Sequence, residues 1–132
     1  MTMTDPVADL ATAIRNGLMI EREEVKVPHS RLKIGILDVL KREGFIGSYT
    51  VEPGHVQGLI RITLKYGRDG EQVIRTIRRV SKPGCRKFWG LKDLKPVLQG
   101  MGIIILSTDR GILSDREARQ KKLGGEPLLE VW

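Results

Sequence analysis

Apolar residues recur at Val7, Leu10, Ala11 and Ile14, the i, i+3, i+4, i+7 stripe of a helix with one face to bury. Thr4 or Asp5 can cap this helix, Pro6 suits its first turn, and Gly17 is expected to end it. A short extended piece, Val25-Lys26-Val27-Pro28, leads to a second helix that takes Ser30 as its cap. That helix turns Leu32, Ile36, Leu37 and Leu40 to one side and stops at Gly44. The pattern then changes from helical to alternating. Phe45 to Val51 reads as a strand and Pro53-Gly54 as a turn, after which Ile60, Ile62, Leu64 and Tyr66 alternate with Arg61, Thr63 and Lys65 as in a half-buried strand. The first half is an α-β-α-β-β unit.

The polar connection Gly67-Arg68-Asp69-Gly70 marks a boundary or hinge, dividing the chain into residues 1–67 and 68–132. Beyond it the pattern predicts mostly strands. These are Val73 to Val80, a turn at Lys82-Pro83-Gly84, Cys85 to Trp89, and a short striped segment with Leu94, Val97 and Leu98 that Pro96 interrupts. Ile103 to Leu106 is an unbroken apolar run rich in β-branched residues, as expected of a strand buried on both faces. Ser114-Asp115-Arg116-Glu117 has capping-box spacing and starts a helix that cannot pass Gly124-Gly125, and Leu128 to Trp132 closes as a strand. The expected class is α+β in two small domains, an α-β-α-β-β N-terminal one and a mostly β C-terminal one with a short helix.

Composition adds direction to this outline. With 132 residues and 40% apolar content the chain reads as a soluble globular protein with a real core. Its opening residues lack the basic and apolar regions of a signal peptide, the run before Ser107 is too short to span a bilayer, and the single Cys85 allows no internal disulfide. The cytoplasm is therefore the expected compartment, with no membrane partner. The net charge of +7 is uneven: residues 1–66 hold nine basic against eight acidic side chains, whereas 67–132 hold fourteen against eight. No acidic residue falls between Gln72 and Lys92, a stretch that contains Arg75, Arg78, Arg79, Lys82, Arg86, Lys87 and Lys92. A polyanion is the natural partner of such a run, and a solvated basic face is the alternative.

Candidate chemistry is sparse on the catalytic side. His29, His55 and Cys85 are too few soft ligands for a structural zinc site, nothing in the sequence brings Cys85 to a histidine, and Gly100-Met101-Gly102 precedes a strand where a nucleotide fingerprint follows one. No cofactor, metal or catalytic residue is expected. The loop leaving the buried run is richer. Ser107 and Thr108 place short hydroxyls on a rigid root, while Gly124-Gly125-Glu126 offers bare backbone and one acceptor carboxylate. If the intervening helix turns the chain back, the two loops meet. Beside a basic strand they suit the shallow groove of an RNA helix with its 2′-hydroxyls. Two other classes remain open: a small phosphate-handling enzyme using the same loops, and a DNA-binding regulator that inserts the helix from Ser30 into a major groove.

Several motifs together resemble a known family. Asp5-Pro6-Val7-Ala8-Asp9-Leu10, Ile14-Arg15-Asn16-Gly17, Ser30-Arg31-Leu32-Lys33 and Leu40-Lys41-Arg42-Glu43-Gly44-Phe45-Ile46 are similar to the N-terminal half of bacterial-type ribosomal protein eight of the small subunit, the universal uS8 family. Arg79-Val80-Ser81-Lys82-Pro83-Gly84, Ser107-Thr108-Asp109-Arg110-Gly111, Ala118-Arg119-Gln120 and Leu123-Gly124-Gly125-Glu126 resemble its C-terminal half, in order along the chain. The resemblance implies a non-catalytic structural constituent of the bacterial or organellar ribosome that binds a helical stem in the central domain of the small-subunit ribosomal RNA early in assembly. It implies RNA contacts at Ser107, Thr108, Gly124, Gly125 and Glu126, and a backbone contact at Lys33. Arg79, Arg86 and Lys87 of the basic run are expected to add phosphate contacts, and Phe88 a stacking face where the family often has Tyr. Asp109 and Arg110 depart from the small polar residue and Lys common there, and Asp109 is expected to pair locally with Arg110 or Arg116. Neighbouring proteins such as protein five of the small subunit, and the messenger of the protein's own operon, are further implied partners.

Overall fold

Helix α1 (Pro6–Met19) forms where the apolar stripe predicts it, and the Asp5 carboxylate caps it by accepting the Ala8 amide at 3.2 Å. The computed structural model describes residues 5–53 and 58–132, so Thr4, the alternative cap, Gly54 of the expected turn, and His55 lie outside the described residues. The helix does not end at Gly17. It continues to Met19, and Gly17 faces strand β1 (Glu24–Pro28), where a Cβ would overlap the Val25 side chain. The missing side chain permits close packing of strand on helix. Helix α2 (Arg31–Arg42) starts as expected, the Ser30 hydroxyl accepting the Lys33 amide at 3.1 Å. It is closed by Gly44 at φ +81°, a left-handed residue that lets the Phe45 amide return to the Leu40 carbonyl at 2.8 Å.

Strands β2 (Ile46–Glu52) and β3 (Leu59–Leu64) complete an antiparallel sheet of order β1-β3-β2. The second sheet contains β4 (Ile77–Arg79), β5 (Ile103–Thr108), β6 (Gly111–Ser114) and β7 (Glu126–Val131) in the order β4-β7-β5-β6, all neighbours antiparallel. Between β6 and β7 lies the short helix α3 (Asp115–Gln120), with the expected Ser114–Glu117 capping box. The architecture is α+β with two sheets.

The unbroken apolar run is explained by its two faces. Ile103 and Ile105 join the large core made with α1, α2 and the first sheet, whereas Ile104 and Leu106 join a second cluster with Leu94 and Ala118. A strand buried on both sides has no position for a polar residue until it emerges at Ser107. The large core takes residues from both sides of position 67 and is continuous across it. Gly35 of α2 packs against Ile112, with a Cβ position 2.7 Å from the Ile112 Cγ1, so β6 nests on the helix at a point where a side chain would force them apart.

Three readings of the C-terminal half need correction. Only Ile77–Arg79 of the expected 73–80 strand is regular, because the Arg75 and Thr76 amides both turn to the Trp132 carbonyl. The segment 85–89 is a loop whose backbone bridges to Gly125 at Trp89 without forming a strand. Helix α3 ends short of Gly124-Gly125, in keeping with the sequence: Lys122 takes the left-handed conformation at φ +57°, and the Leu123 amide bonds to the Ala118 carbonyl at 2.9 Å. Strand β6, short and following a turn, was not anticipated. Pro127 sits inside β7 at the register shift between Ile105 and Leu106, a place where its missing N–H breaks no regular ladder.

Charged side chains also bridge the two halves. Arg79 is mostly buried and donates to both Asp5 oxygens, at 3.1 and 3.3 Å, and to the Leu128 carbonyl at 3.1 Å. Burial raises the Asp5 pKa, but hydrogen bonds from Arg79 and from the helix amides outweigh it, holding the carboxyl below its ordinary value. A depressed folded pKa contributes stability above the unfolded value, and that stability is lost as pH falls through the folded one. Asp5→Ala is therefore expected to cost about 1–2 kcal/mol at neutral pH. The difference from the parent should shrink on acidification below about pH 4. Thermal melts across pH 2 to 7 check this, and a constant difference would show that the Asp5 charge is not the stabilising element.

Candidate nucleic-acid interface

The antiparallel order of the second sheet brings three connections to one end. β5 ends there at Ser107-Thr108, β7 begins there at Glu126, and the chain leaving β4 passes through Ser81 into the 82–89 loop. Ser107 lies opposite Glu126 in register, and Gly125 is buried against Ser107 and Thr108. The two loops expected to meet do meet.

Each loop is fixed by a local device. The Thr108 hydroxyl accepts the Arg110 amide at 3.1 Å and donates to the Gly111 carbonyl at 2.8 Å. Gly111, at φ +98°, closes the two-residue turn in a conformation that a side chain would strain. Asp109 and Arg110 stand exposed at the tip. The Ser107 hydroxyl is half-exposed and has no hydrogen-bond partner among the described residues, so it is available to a ligand. Ser81 is fully buried at the root of the basic loop: its hydroxyl donates to Glu126 at 2.7 Å and accepts the Lys87 amide at 2.9 Å. Glu126 also receives the Arg86 guanidinium at 3.0 Å. The carboxylate thereby orients one cation while the buried hydroxyl orients the backbone of the next.

The glycines also make room within the protein itself. Gly125 exchanges backbone hydrogen bonds with Trp89, both at 2.9 Å, and a Cβ there would overlap the Ser107 carbonyl oxygen. A Cβ at Gly124 would overlap the Trp89 carbonyl oxygen. Their bareness admits the protein's own backbone, which joins the 85–89 loop to the Ser-Thr turn.

The candidate cations divide into inward and outward members. Arg79 is internal, as described above, and Lys33 is buried with its ammonium donating to the Pro28 carbonyl at 3.0 Å. Arg78 pairs with Glu130 and stacks over Trp132 at 5.2 Å, yet remains largely exposed. Lys82, Arg86 and Lys87 are exposed on the loop, and Phe88 stands out beside them with 80% of its surface in solvent. An exposed aromatic ring among cations, next to presented hydroxyls, is an arrangement that engages both phosphates and nucleobases. Among the described residues no group of three or more His, Cys, Asp or Glu is placed to hold a metal ion, and no helix is long and apolar enough to cross a membrane.

The sequence model of the ribosomal protein S8 family matches residues 5–132. The chain belongs to the ribosomal protein S8 family. It is 55% identical over 131 residues to small ribosomal subunit protein uS8 of Rhodopirellula baltica, covering 98% of each chain. It is 49% and 50% identical over all 132 residues to the proteins of that name from Lactobacillus helveticus and Streptococcus agalactiae, covering each completely. This S8 protein is thus a structural protein of the small ribosomal subunit. Its exposed hydroxyls, cations and Phe88 stand at the sheet end just described, and two details revise the reading of its sequence. Asp109 makes no ion pair among the described residues; Arg116 instead joins Glu43 and the Gly100 carbonyl, so Thr108 orders the turn in place of the expected Asp109 pairing. Ser81 ties Glu126 to the Lys87 amide at the root of the basic loop. Its one sequence signal was a lone hydroxyl inside a basic run.

Proposed function

We propose that this S8 protein binds directly to a helical stem in the central domain of the small-subunit ribosomal RNA and supports assembly of the subunit. The observation that carries this reading is the convergence of the Ser107-Thr108 turn, the Gly124-Gly125-Glu126 segment and the basic loop with Phe88 at one end of one sheet. Ser107 and Thr108 face the base edges and 2′-hydroxyls, Arg86 and Lys87 take phosphates, and Phe88 stacks on an accessible base. Glu126, Gly124 and Gly125 position these groups, and the buried cations Arg79 and Lys33 brace the frame from within. Residues 68–132 thus form the RNA-binding unit, docked through the shared core on residues 1–67. On the strength of the family alone, neighbouring proteins such as protein five and the messenger of the protein's own operon are further partners. Competition between that messenger and the ribosomal stem for one site tests the latter.

The division into outward and inward cations supplies the main test. Lys87→Ala is expected to weaken binding to cognate and unrelated RNA alike and to reduce the slope of log affinity against log salt by about 1. Arg79→Ala should leave that slope unchanged and lower the melting temperature. Equal salt slopes for the parent and Lys87→Ala would reduce the loop to a solvated face.

A further inference from the structure

Two clefts that border the basic loop differ in charge. The first, between β4 and the loop, is lined by Arg78, Lys82 and Lys87, and among the described residues its lining has a single carboxylate, Glu130. Arg78 takes that carboxylate, whereas Lys82 and Lys87 are exposed and make no ion pair among the described residues, so this cleft carries surplus positive charge. The second cleft, on the Ser107 side, is balanced. Asp5 and Glu126 line it together with Arg79 and Arg86, and each carboxylate already holds one arginine. A polyanion is drawn to the first cleft and gains nothing from net charge in the second.

Arg86 is the cation that this balance affects most. Its side chain is 63% exposed and free to meet a phosphate, but both Glu126 oxygens accept from it, at 3.0 and 3.2 Å. Glu126 is itself mostly buried and fixed by the Ser81 hydroxyl at 2.7 Å, so the carboxylate stays in place when the arginine moves. A phosphate arriving alone must share the guanidinium with a carboxylate that repels it, which cancels much of the attraction. A hydrogen-bond donor has the opposite effect. Entering the same cleft beside the unpartnered Ser107 hydroxyl, which lies opposite Glu126 in register, it can take the place of Arg86 on the carboxylate. The 2′-hydroxyls and the exocyclic amine of guanine in an RNA groove are such donors, and phosphates are not.

We propose that Glu126 selects among RNAs by acting as an internal substitute for phosphate: it occupies Arg86 and releases it only to an RNA that presents a groove donor to the carboxylate. The inference rests on the proposed RNA-binding function and adds a means of discrimination to it. Glu126→Gln keeps an acceptor for Ser81 but loosens the hold on Arg86. It is expected to raise affinity for a scrambled stem about fivefold and to steepen the salt slope on that stem by about 1, because one more cation meets phosphate. Affinity for the cognate stem should stay level or fall, and its slope should hold, since Arg86 is already released there. Arg86→Gln tests the same pair from the exposed side. It should weaken the cognate stem about tenfold and change the scrambled stem by less than about twofold, because Glu126 already silences this arginine toward phosphate alone. In the double variant the gain on the scrambled stem should vanish. Calorimetric titrations of the full-length protein with both stems at several salt concentrations, beside thermal melts, read all three variants. An equal gain or an equal loss on the two stems from Glu126→Gln, or an equal loss from Arg86→Gln, overturns the proposal. A parent protein that does not prefer the cognate stem counts against the proposed function itself, whereas a parent that prefers it, with the ratio unchanged in Glu126→Gln, defeats only the role given to Glu126.

Discussion

Gly125→Val is expected to unfold much of the C-terminal half, lowering stability by about 3 kcal/mol or more and the melting temperature by roughly 10 °C. Any Cβ at this buried position would overlap the Ser107 carbonyl oxygen and press on the Thr108 methyl, and the two further methyl groups of valine deepen the clash. Relief requires β7 and β5 to separate where Ser107 lies opposite Glu126, or the Trp89 backbone to give up its two bonds to Gly125. Each route exposes apolar surface or strands backbone hydrogen-bonding groups. A glycine kept bare only to admit RNA would instead give obstruction of RNA by the new side chain, with folding intact. The buried setting of Gly125 makes structural collapse the expected outcome, with affinity retained in whatever fraction stays folded. Near-normal melting with lost RNA binding would instead place the new side chain at the ligand surface.

The hydroxyls of the Ser-Thr turn should separate under mutation despite being adjacent. Ser107→Ala removes a hydroxyl that has no partner among the described residues, so folding should be unaffected while affinity for the cognate stem falls by about 1–2 kcal/mol. Thr108→Val removes the group that accepts the Arg110 amide and donates to Gly111, leaving the turn without its internal clamp. Its cost should reach about 2–3 kcal/mol on the cognate stem and include a modest loss of stability, because the loop must be ordered again on binding. Neither change alters charge, so affinity for an unrelated stem and the salt slope should hold nearly constant. Calorimetry with cognate and scrambled stems, beside thermal melts, checks both variants. Equal weakening on the two RNAs would mean that the turn contributes position without recognition.

Much of this protein was legible from local pattern. The caps at Asp5, Ser30 and Ser114 act where short polar side chains precede apolar stripes, since an N-cap needs only its own side chain and the amides three residues on. The burial of Ile103 to Leu106 on both faces followed from the absence of any polar residue in the run. The family followed from motifs whose order spans the chain. Tertiary structure decided what local pattern could not. Gly17 continues a helix because β1 packs against it, a contact from outside the helix that no propensity records. The 85–89 segment reads as a strand, but it joins the second sheet through an isolated backbone bridge from Trp89 to Gly125 and the Arg86–Glu126 ion pair, with no ladder. Arg79 and Arg86 look equivalent in a basic run, yet one is drawn inward by Asp5 and the Leu128 carbonyl while the other stays in solvent beside Glu126. Helix caps and apolar periodicity are set by neighbours a few residues away. Which cation is buried, which glycine makes room and which hydroxyl is left free depend on residues tens of positions distant, and only the folded arrangement of the two sheets brings those together.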